Sequence, residues 1–198
     1  MIEILAALSA SGAAGMRIAL PLLLIGLLSG DNLWSRVPIL SQIPPPIVLG
    51  VLMSWSLTEI FFSKDRLGQR ILQIVQLVFS PIVGGIMGTA VARITGLAAW
   101  LTTLIGIVGG LLALVLQLVQ VGWFFRLRGL PLWVIFAQDA LCISLVLFAF
   151  DAPQQGGIIA LLLLWLAIRS SKDWHRWYVQ QASRGDRHNP RQHKQDPD

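Results

Sequence analysis

Apolar residues occur in this chain as long uninterrupted blocks rather than as the one-sided stripes of soluble helices. A block of about 20 apolar residues is long enough for a helix to cross the hydrocarbon core of a bilayer. Turn-forming residues such as Gly30, Pro44 and Pro131 separate the blocks. We therefore predict an all-α, polytopic transmembrane helix bundle of about six spans. The predicted spans cover residues 2–29, 46–62, 71–92, 97–123, 132–150 and 153–169.

Two of these spans contain residues that interrupt helices. The first contains the small-residue run 9–12 and Pro21, and the third contains Ser80-Pro81 followed by Gly84-Gly85. Broken helices often line the substrate sites of transporters. Proline kinks without a function are equally common, so the pattern leaves both interpretations open. We expect the first and third spans to be broken.

The composition of the chain is typical of an integral membrane protein. The 198 residues are 55% hydrophobic and 13% charged, whereas soluble domains carry about 25% charged residues. Residues 1–169 are therefore predicted to form one transmembrane domain. The lone Cys142 excludes an internal disulfide.

The pattern changes after the last apolar block. Aromatic residues at positions 174, 177 and 178 share one helical face and have basic residues beside them. This pattern predicts an interfacial amphipathic helix over residues 170–181. Residues 182–198 are polar without apolar periodicity, and we predict a basic, disordered cytoplasmic tail. This basic segment either binds anionic lipid or acts only as a topology determinant. The predicted contacts to lipid headgroups are Lys172, Trp174, Arg176 and Trp177.

The distribution of positive charge predicts the orientation, because cytoplasmic loops are enriched in Lys and Arg. With an inner N-terminus, the inner loops and the tail hold most of the Lys and Arg, whereas the outer loops hold Arg36 and Arg93. Both termini are therefore predicted to be cytoplasmic, in a bacterial inner (cell) membrane or a thylakoid-type membrane. The net charge of +5 does not indicate nucleic acid, since the positive residues lie in short loops and the tail.

Three charged residues lie inside the apolar blocks, namely Arg17, Glu59 and Asp139. A charge within a span costs between about 3 and more than 10 kcal/mol, so it usually has a partner or a purpose. If residues 1–11 form a separate half-helix and the crossing helix begins near Gly12, Arg17 lies about 8 Å from the inner end of its span. Glu59 and Asp139 then lie at a similar depth.

We therefore predict a polar layer in the inner half of the membrane, in which Arg17 pairs with one or both carboxylates. Three interpretations remain open at this point: a structural ion pair, a solute or proton site that opens to the cytoplasm, and side chains that extend to the headgroups. The predicted layer consists of Arg17, Glu59, Gln117, Gln138 and Asp139.

Small residues and glutamines share one face of the third span and one face of the fourth. Small residues allow close helix approach, and amides hydrogen-bond across the interface. Because consecutive spans are antiparallel, we expect glutamine to meet glutamine in the inner half and glycine to meet glycine in the outer half. The predicted packing glycines are Gly84, Gly88, Gly106 and Gly110.

The order of several short motifs resembles an uncharacterised bacterial membrane family that is catalogued only as a domain of unknown function and is seen in cyanobacteria and other bacteria. The motifs are the segment 9–23 (SASGAAGMRIALPLL), Glu59 before Lys64-Asp65, SPIVGG at 80–85, GGLLA at 109–113 and Gln138-Asp139. The resemblance covers roughly residues 5–168 and implies a membrane fold but no activity. The family often has His and Lys where this chain has Gln117 and Gln120, and an acid where it has Gln138, so the resemblance implies fewer titratable groups here.

Two functions fit these observations. The first is a small solute or ion transporter or permease, supported by the broken spans and the polar layer. The second is a non-catalytic subunit or assembly factor of a larger membrane complex, supported by the short loops and the basic tail. An enzyme is not expected, because no catalytic motif, metal-ligand cluster or cofactor fingerprint is present in the sequence. The expected partners are the bilayer and either further copies of this chain or a larger membrane complex, without nucleic acid, metal or cofactor.

Overall fold

The computed structural model describes residues 1–29, 43–62, 66–127 and 132–185, and every regular element in these ranges is a helix. The predicted turns at 30–32, 64–65 and 128–131 and the tail from residue 186 lie outside the described residues. The all-helical prediction is confirmed for the described part of the chain. The helices are α1 (Ile2–Ala14), α2 (Ala19–Ser29), α3 (Pro45–Phe62), α4 (Arg66–Ile94), α5 (Ala99–Leu127), α6 (Leu132–Asp151) and α7 (Pro153–Gly185).

Three of these helices contain segments that are long and apolar enough to cross a membrane, which supports a membrane-embedded protein. The segments are Arg70–Ile94, Ala99–Phe124 and Trp133–Asp151, and they coincide with the third, fourth and fifth predicted spans. The apolar helices Ile2–Ala14 and Pro46–Glu59 are shorter. The total of six spans stays a prediction. Helix α4 continues through Pro81 as one helix, whereas the first predicted span is divided between α1 and α2.

Helix α1 lies in the middle of the bundle, where it packs against α4, α5, α6 and α7. Its sequence consists largely of Ala, Ser and Gly, and every residue from Ser9 to Ala14 is buried. Small side chains allow four neighbouring helices to approach closely. Two hydroxyls also hold α1 in place: Ser9 Oγ donates to the Leu145 carbonyl at 2.7 Å and Ser11 Oγ donates to the Gly84 carbonyl at 3.0 Å.

The contacts of α1 define its direction. Ile2 lies beside the α6–α7 turn at Asp151–Pro153, and the other end of α1 meets Ala113 and Leu116 of α5 through Gly15. Helix α1 is therefore parallel to α5 and α7. We call the end of the bundle near the α6–α7 turn the Asp151 end, and the opposite end, where Ser170 accepts a hydrogen bond from Trp123 Nε1 at 3.0 Å, the Ser170 end.

The N-terminus lies at the Asp151 end, whereas α7 runs from that end to the Ser170 end and beyond it. The two ends of the described chain are thus at opposite ends of the bundle. The predicted cytoplasmic location of both termini stays a prediction.

The interface between α4 and α5 is built from glycines in backbone contact. A Cβ atom at Gly84 would collide with the Ala113 side chain and lie 2.9 Å from the Gly109 carbonyl oxygen. The four glycines predicted from the sequence lie in this interface, where Gly88 faces Ile105, Gly106 faces Thr89 and Gly110 faces Pro81. Side chains cannot be added here unless the two helices move apart.

Candidate functional site

The helical structure is interrupted between α1 and α2, and the connecting segment contains a charged residue. After Ala14 the amide of Gly15 donates back to the carbonyls of Ser11 and Gly12 at 3.1 Å, and α2 begins at Ala19. Pro21 lies in the first turn of α2, where a helix does not need the amide hydrogen that proline lacks. The break therefore lies at residues 15–18 rather than near Gly12, and Arg17 belongs to the connecting segment.

The Arg17 side chain lies between two carboxylates from different helices. Its Nε donates to Asp139 Oδ1 of α6 at 2.6 Å, and its Nη1 lies 3.7 Å from Glu59 Oε2 of α3. Arg17 is 9% exposed and Glu59 is 3% exposed. Because a guanidinium stays charged in proteins, one fixed positive charge faces two carboxyl groups here. Asp139 is the closer partner.

The second oxygen of Glu59 is held by uncharged donors. Trp55 Nε1, one turn earlier on α3, donates to Glu59 Oε1 at 2.9 Å, and Gln76 Nε2 of α4 donates to the same oxygen at 3.2 Å. Gln117 Nε2 of α5 then donates to the side-chain oxygens of Gln76 and Gln73, both at 3.3 Å. A chain of buried amides thus links Glu59 to α5.

Two further glutamines bond to the carbonyl groups that become free where α1 ends. Gln138 Nε2 of α6 donates to the Met16 carbonyl at 2.8 Å and to Gln120 Oε1 of α5 at 2.6 Å. Gln120 Nε2 in turn approaches the Gly15 carbonyl at 3.4 Å. Backbone groups inside a membrane need such partners, since no bulk water is present to bond them. These bonds fix the tip of α1 to its neighbours.

One buried hydroxyl on α4 has no hydrogen-bond partner among the described residues, namely Ser80 Oγ. Ser80 lies one turn from Gln76 and one turn from Gly84 on the same face of α4. It therefore lies between the amide chain and the glycine interface. An unpaired buried hydroxyl costs about 1–3 kcal/mol, so this position has capacity for one further polar contact.

The structure brings most of the predicted polar layer together. Arg17 contacts Glu59 and Asp139 directly, Gln117 reaches Glu59 through Gln76, and Gln138 bonds instead to the tip of α1. The side chains of the predicted headgroup residues Lys172, Trp174, Arg176 and Trp177 lie outside the described residues, although α7 continues through their positions. In the ranges that the structure describes, no three His, Cys, Asp or Glu side chains are grouped as they would be around a metal ion.

Sequence reasoning missed four members of this network: Trp55, Gln73, Gln76 and Gln120. The three glutamines were assigned to helix packing faces, which explains their burial but not their contact with the charges. The available indication for Trp55 was its spacing of four residues from Glu59, which places both side chains on one face of a helix.

A cavity of about 290 Å³ lies beside the tip of α1. Its walls come from α5, α6 and α7 and from Met16, and they are mostly apolar, with polar groups from Ser170, Trp123, Gln120 and Gln138. The tip of α1 therefore borders the cavity through Met16 and through the amides of Gln120 and Gln138, which bond to its carbonyls.

Comparison with known proteins gave one match: a family model described as a domain of unknown function (DUF4126) covers residues 4–173. No curated protein and no solved structure matched the chain.

Proposed function

The chain belongs to the family of this domain of unknown function, DUF4126, and we propose that it is an integral membrane transporter of a small solute or ion. The observation that carries the proposal is the interruption at Arg17, which places a charged, non-helical segment inside the bundle between two carboxylates on separate helices. Non-helical backbone at membrane depth is tolerated where protein buries it or where it lines a water-filled cavity. In transporters such interruptions form substrate and ion sites.

The path of α2 supports a re-entrant arrangement. Helix α4 is antiparallel to α5, because Gly84 faces Ala113 and Gly88 faces Ile105, so α4 begins at the Ser170 end. Three residues join α3 to α4, so α3 ends at the Ser170 end as well. Helix α2 starts next to Arg17 and therefore near Glu59, and it packs against α3 and α6. Since most of α3 extends from Glu59 towards the Asp151 end, we infer that α2 runs in that direction along α3.

Helices α1 and α2 would thus enter and leave the membrane through the Asp151 end, with Arg17 at the tip of the pair. Five crossing helices, α3 to α7, would surround this pair. The excess of Lys and Arg at the Ser170 end favours a cytoplasmic location for that end. The N-terminus would then be on the opposite side of the membrane, and the C-terminal tail would be cytoplasmic.

The charges of the site favour a ligand that brings positive charge. One arginine faces two carboxylates, so the cluster carries a net charge of −1 when all three groups are ionised. An uncompensated charge in a low-dielectric interior is costly. A cation, a proton or a solute with a cationic group would offset it.

Transport is tested by a solute and ion screen of the purified protein. A ligand that binds the folded state raises the melting temperature, and the hits are then assayed for uptake into proteoliposomes. We expect Asp139→Asn and Glu59→Gln each to reduce uptake by about tenfold or more, since a charge-assisted hydrogen bond contributes about 1.5–3 kcal/mol. Glu3→Gln, which changes an acid near the N-terminus, is the matched control and should transport normally. Equal uptake by all variants would place transport elsewhere or exclude it.

The re-entrant arrangement is tested by labelling single cysteines with a membrane-impermeant maleimide. In a Cys142→Ala background, Ile2→Cys and Ser171→Cys introduce thiols at exposed positions near opposite ends of the bundle. In right-side-out vesicles we expect Ile2→Cys to react before permeabilisation and Ser171→Cys to react only afterwards. Protection of both thiols until permeabilisation would place the two sites on one side and exclude the re-entrant pair.

A non-catalytic subunit of a larger complex is the competing function. The native mass and composition of the full chain, extracted from its own membrane in mild detergent, separate the two functions. A discrete homo-oligomer supports the transporter. Stoichiometric recovery with other membrane proteins would make the chain a component of their complex, and the Arg17 cluster would then be structural.

A further inference from the structure

We propose that the cavity beside the tip of α1 binds one acyl chain of an anionic phospholipid from the leaflet at the Ser170 end. This site is distinct from the Arg17 cluster and does not depend on transport. The proposal combines the chemistry of the cavity walls, the direction in which the cavity opens and the charge near its mouth.

The walls fit a hydrocarbon chain. The cavity measures about 290 Å³, near the lower limit of about 300 Å³ for ligand sites. Apolar side chains, mainly leucine, valine and alanine of three helices, form most of its surface. A small polar solute would find few partners along these walls, whereas an acyl chain forms dispersion contacts throughout.

The cavity opens towards the bilayer rather than towards water. Ala137 of α6 and Leu166 of α7 line the cavity and are also exposed on the outer surface of the bundle. At the Ser170 end, the hydrogen bond between Trp123 and Ser170 connects α5 to α7 across the cavity. A chain that enters between α6 and α7 therefore comes from the surrounding lipid.

The charge near the mouth selects an anionic headgroup. Arg169 precedes the lining residue Ser170, is exposed, and its guanidinium carbon lies 5.4 Å from the centre of the Trp165 ring. This cation–π contact holds the guanidinium against the exposed Trp165 ring. Arg169 therefore supplies one positive charge beside Ser170, near which the headgroup of a lipid in the cavity would lie. A phosphatidylglycerol headgroup is attracted there, whereas a zwitterionic headgroup gains little.

The test is native mass spectrometry of the full chain released from nanodiscs that contain equal amounts of phosphatidylglycerol and phosphatidylcholine with identical acyl chains. The variant Ala137→Trp places an indole in the cavity, and Ala140→Trp, one turn further along the exposed side of α6 and outside the cavity lining, is the matched control. Both positions are exposed, so both variants are expected to fold. Arg169→Gln removes the proposed headgroup contact.

We expect wild type and Ala140→Trp to retain one phosphatidylglycerol per chain and Ala137→Trp to lose it. Arg169→Gln should reduce the preference for phosphatidylglycerol by about fivefold, the effect of one basic residue near the membrane surface. Equal retention by the two tryptophan variants would exclude the cavity as the site, and equal retention of both lipids by wild type would exclude the anionic headgroup. A dimer that Ala137→Trp alone dissociates would identify a second copy as the occupant and overturn the proposal.

Discussion

Replacement of Arg17 by leucine is expected to destabilise the protein by about 3–5 kcal/mol, because it leaves two carboxylates without their charged partner in the bundle. Arg17 contacts Asp139 at 2.6 Å and Glu59 at 3.7 Å, and Arg17 and Glu59 are almost completely buried. The effect should appear as a large fall in melting temperature in detergent, with loss of the monodisperse peak in size-exclusion chromatography.

Two further variants test whether the loss of stability in Arg17→Leu results from leaving Glu59 and Asp139 without a positive partner. Arg70→Leu removes an exposed arginine of α4 and should change stability by no more than about 0.5 kcal/mol. The triple variant Arg17→Gln, Glu59→Gln, Asp139→Asn removes all three charges and should recover most of the stability lost in Arg17→Leu, since replacing a whole buried ion network by uncharged groups is often neutral. A melting temperature of Arg17→Leu equal to that of wild type would mean that the carboxylates do not depend on Arg17.

Where a helix is long and apolar throughout, its position follows from the sequence. The predicted spans 71–92, 97–123 and 132–150 coincide with apolar segments of α4, α5 and α6. A helix of that length makes all of its backbone hydrogen bonds within itself inside a bilayer. Pro81 did not end α4, because neighbouring helices can accommodate a proline within a membrane helix.

The first apolar block was harder to interpret, since one long helix and two shorter helices have the same apolar composition. The run of Ser, Ala and Gly at residues 9–15 suggested a break near Gly12, yet α1 continues to Ala14. These small residues serve instead to bury α1 among four neighbours. The direction of α1 depends on contacts with Asp151, Gly157 and Ala113, and nothing local in the sequence encodes such distant contacts.

The residues of the site also divide into those that the sequence could identify and those that it could not. The three charges could be identified because ionised groups are rare within apolar blocks, and similar depths along the helices predicted their proximity. The roles of Gln120 and Gln138 could not be identified, because they depend on free carbonyls at Gly15 and Met16, and thus on where α1 ends.

The substitution Gly84→Ala is expected to destabilise the protein by about 1–3 kcal/mol, the usual cost of adding a methyl group to a fully packed interface. The added Cβ would collide with Ala113 and would lie 2.9 Å from the Gly109 carbonyl oxygen, which cannot move without its helix. Because Gln76 and Gln117 bond across the same α4–α5 interface, separating the helices should also weaken the support of Glu59. The measurement is the melting temperature in detergent, together with uptake of any solute that the wild type transports.

Gly122→Ala provides the matched control on α5, since a Cβ atom there would meet no atom within 4 Å. Alanine favours a helix over glycine by about 0.5–1 kcal/mol, so this variant should be as stable as wild type or more stable. The comparison separates two explanations for the glycines of α4 and α5. If Gly84→Ala behaves like Gly122→Ala, the helices are not in backbone contact at Gly84 and the interface has room for a side chain. If only Gly84→Ala unfolds at a lower temperature and loses uptake, close packing of α4 on α5 is required to hold the amide chain against Glu59.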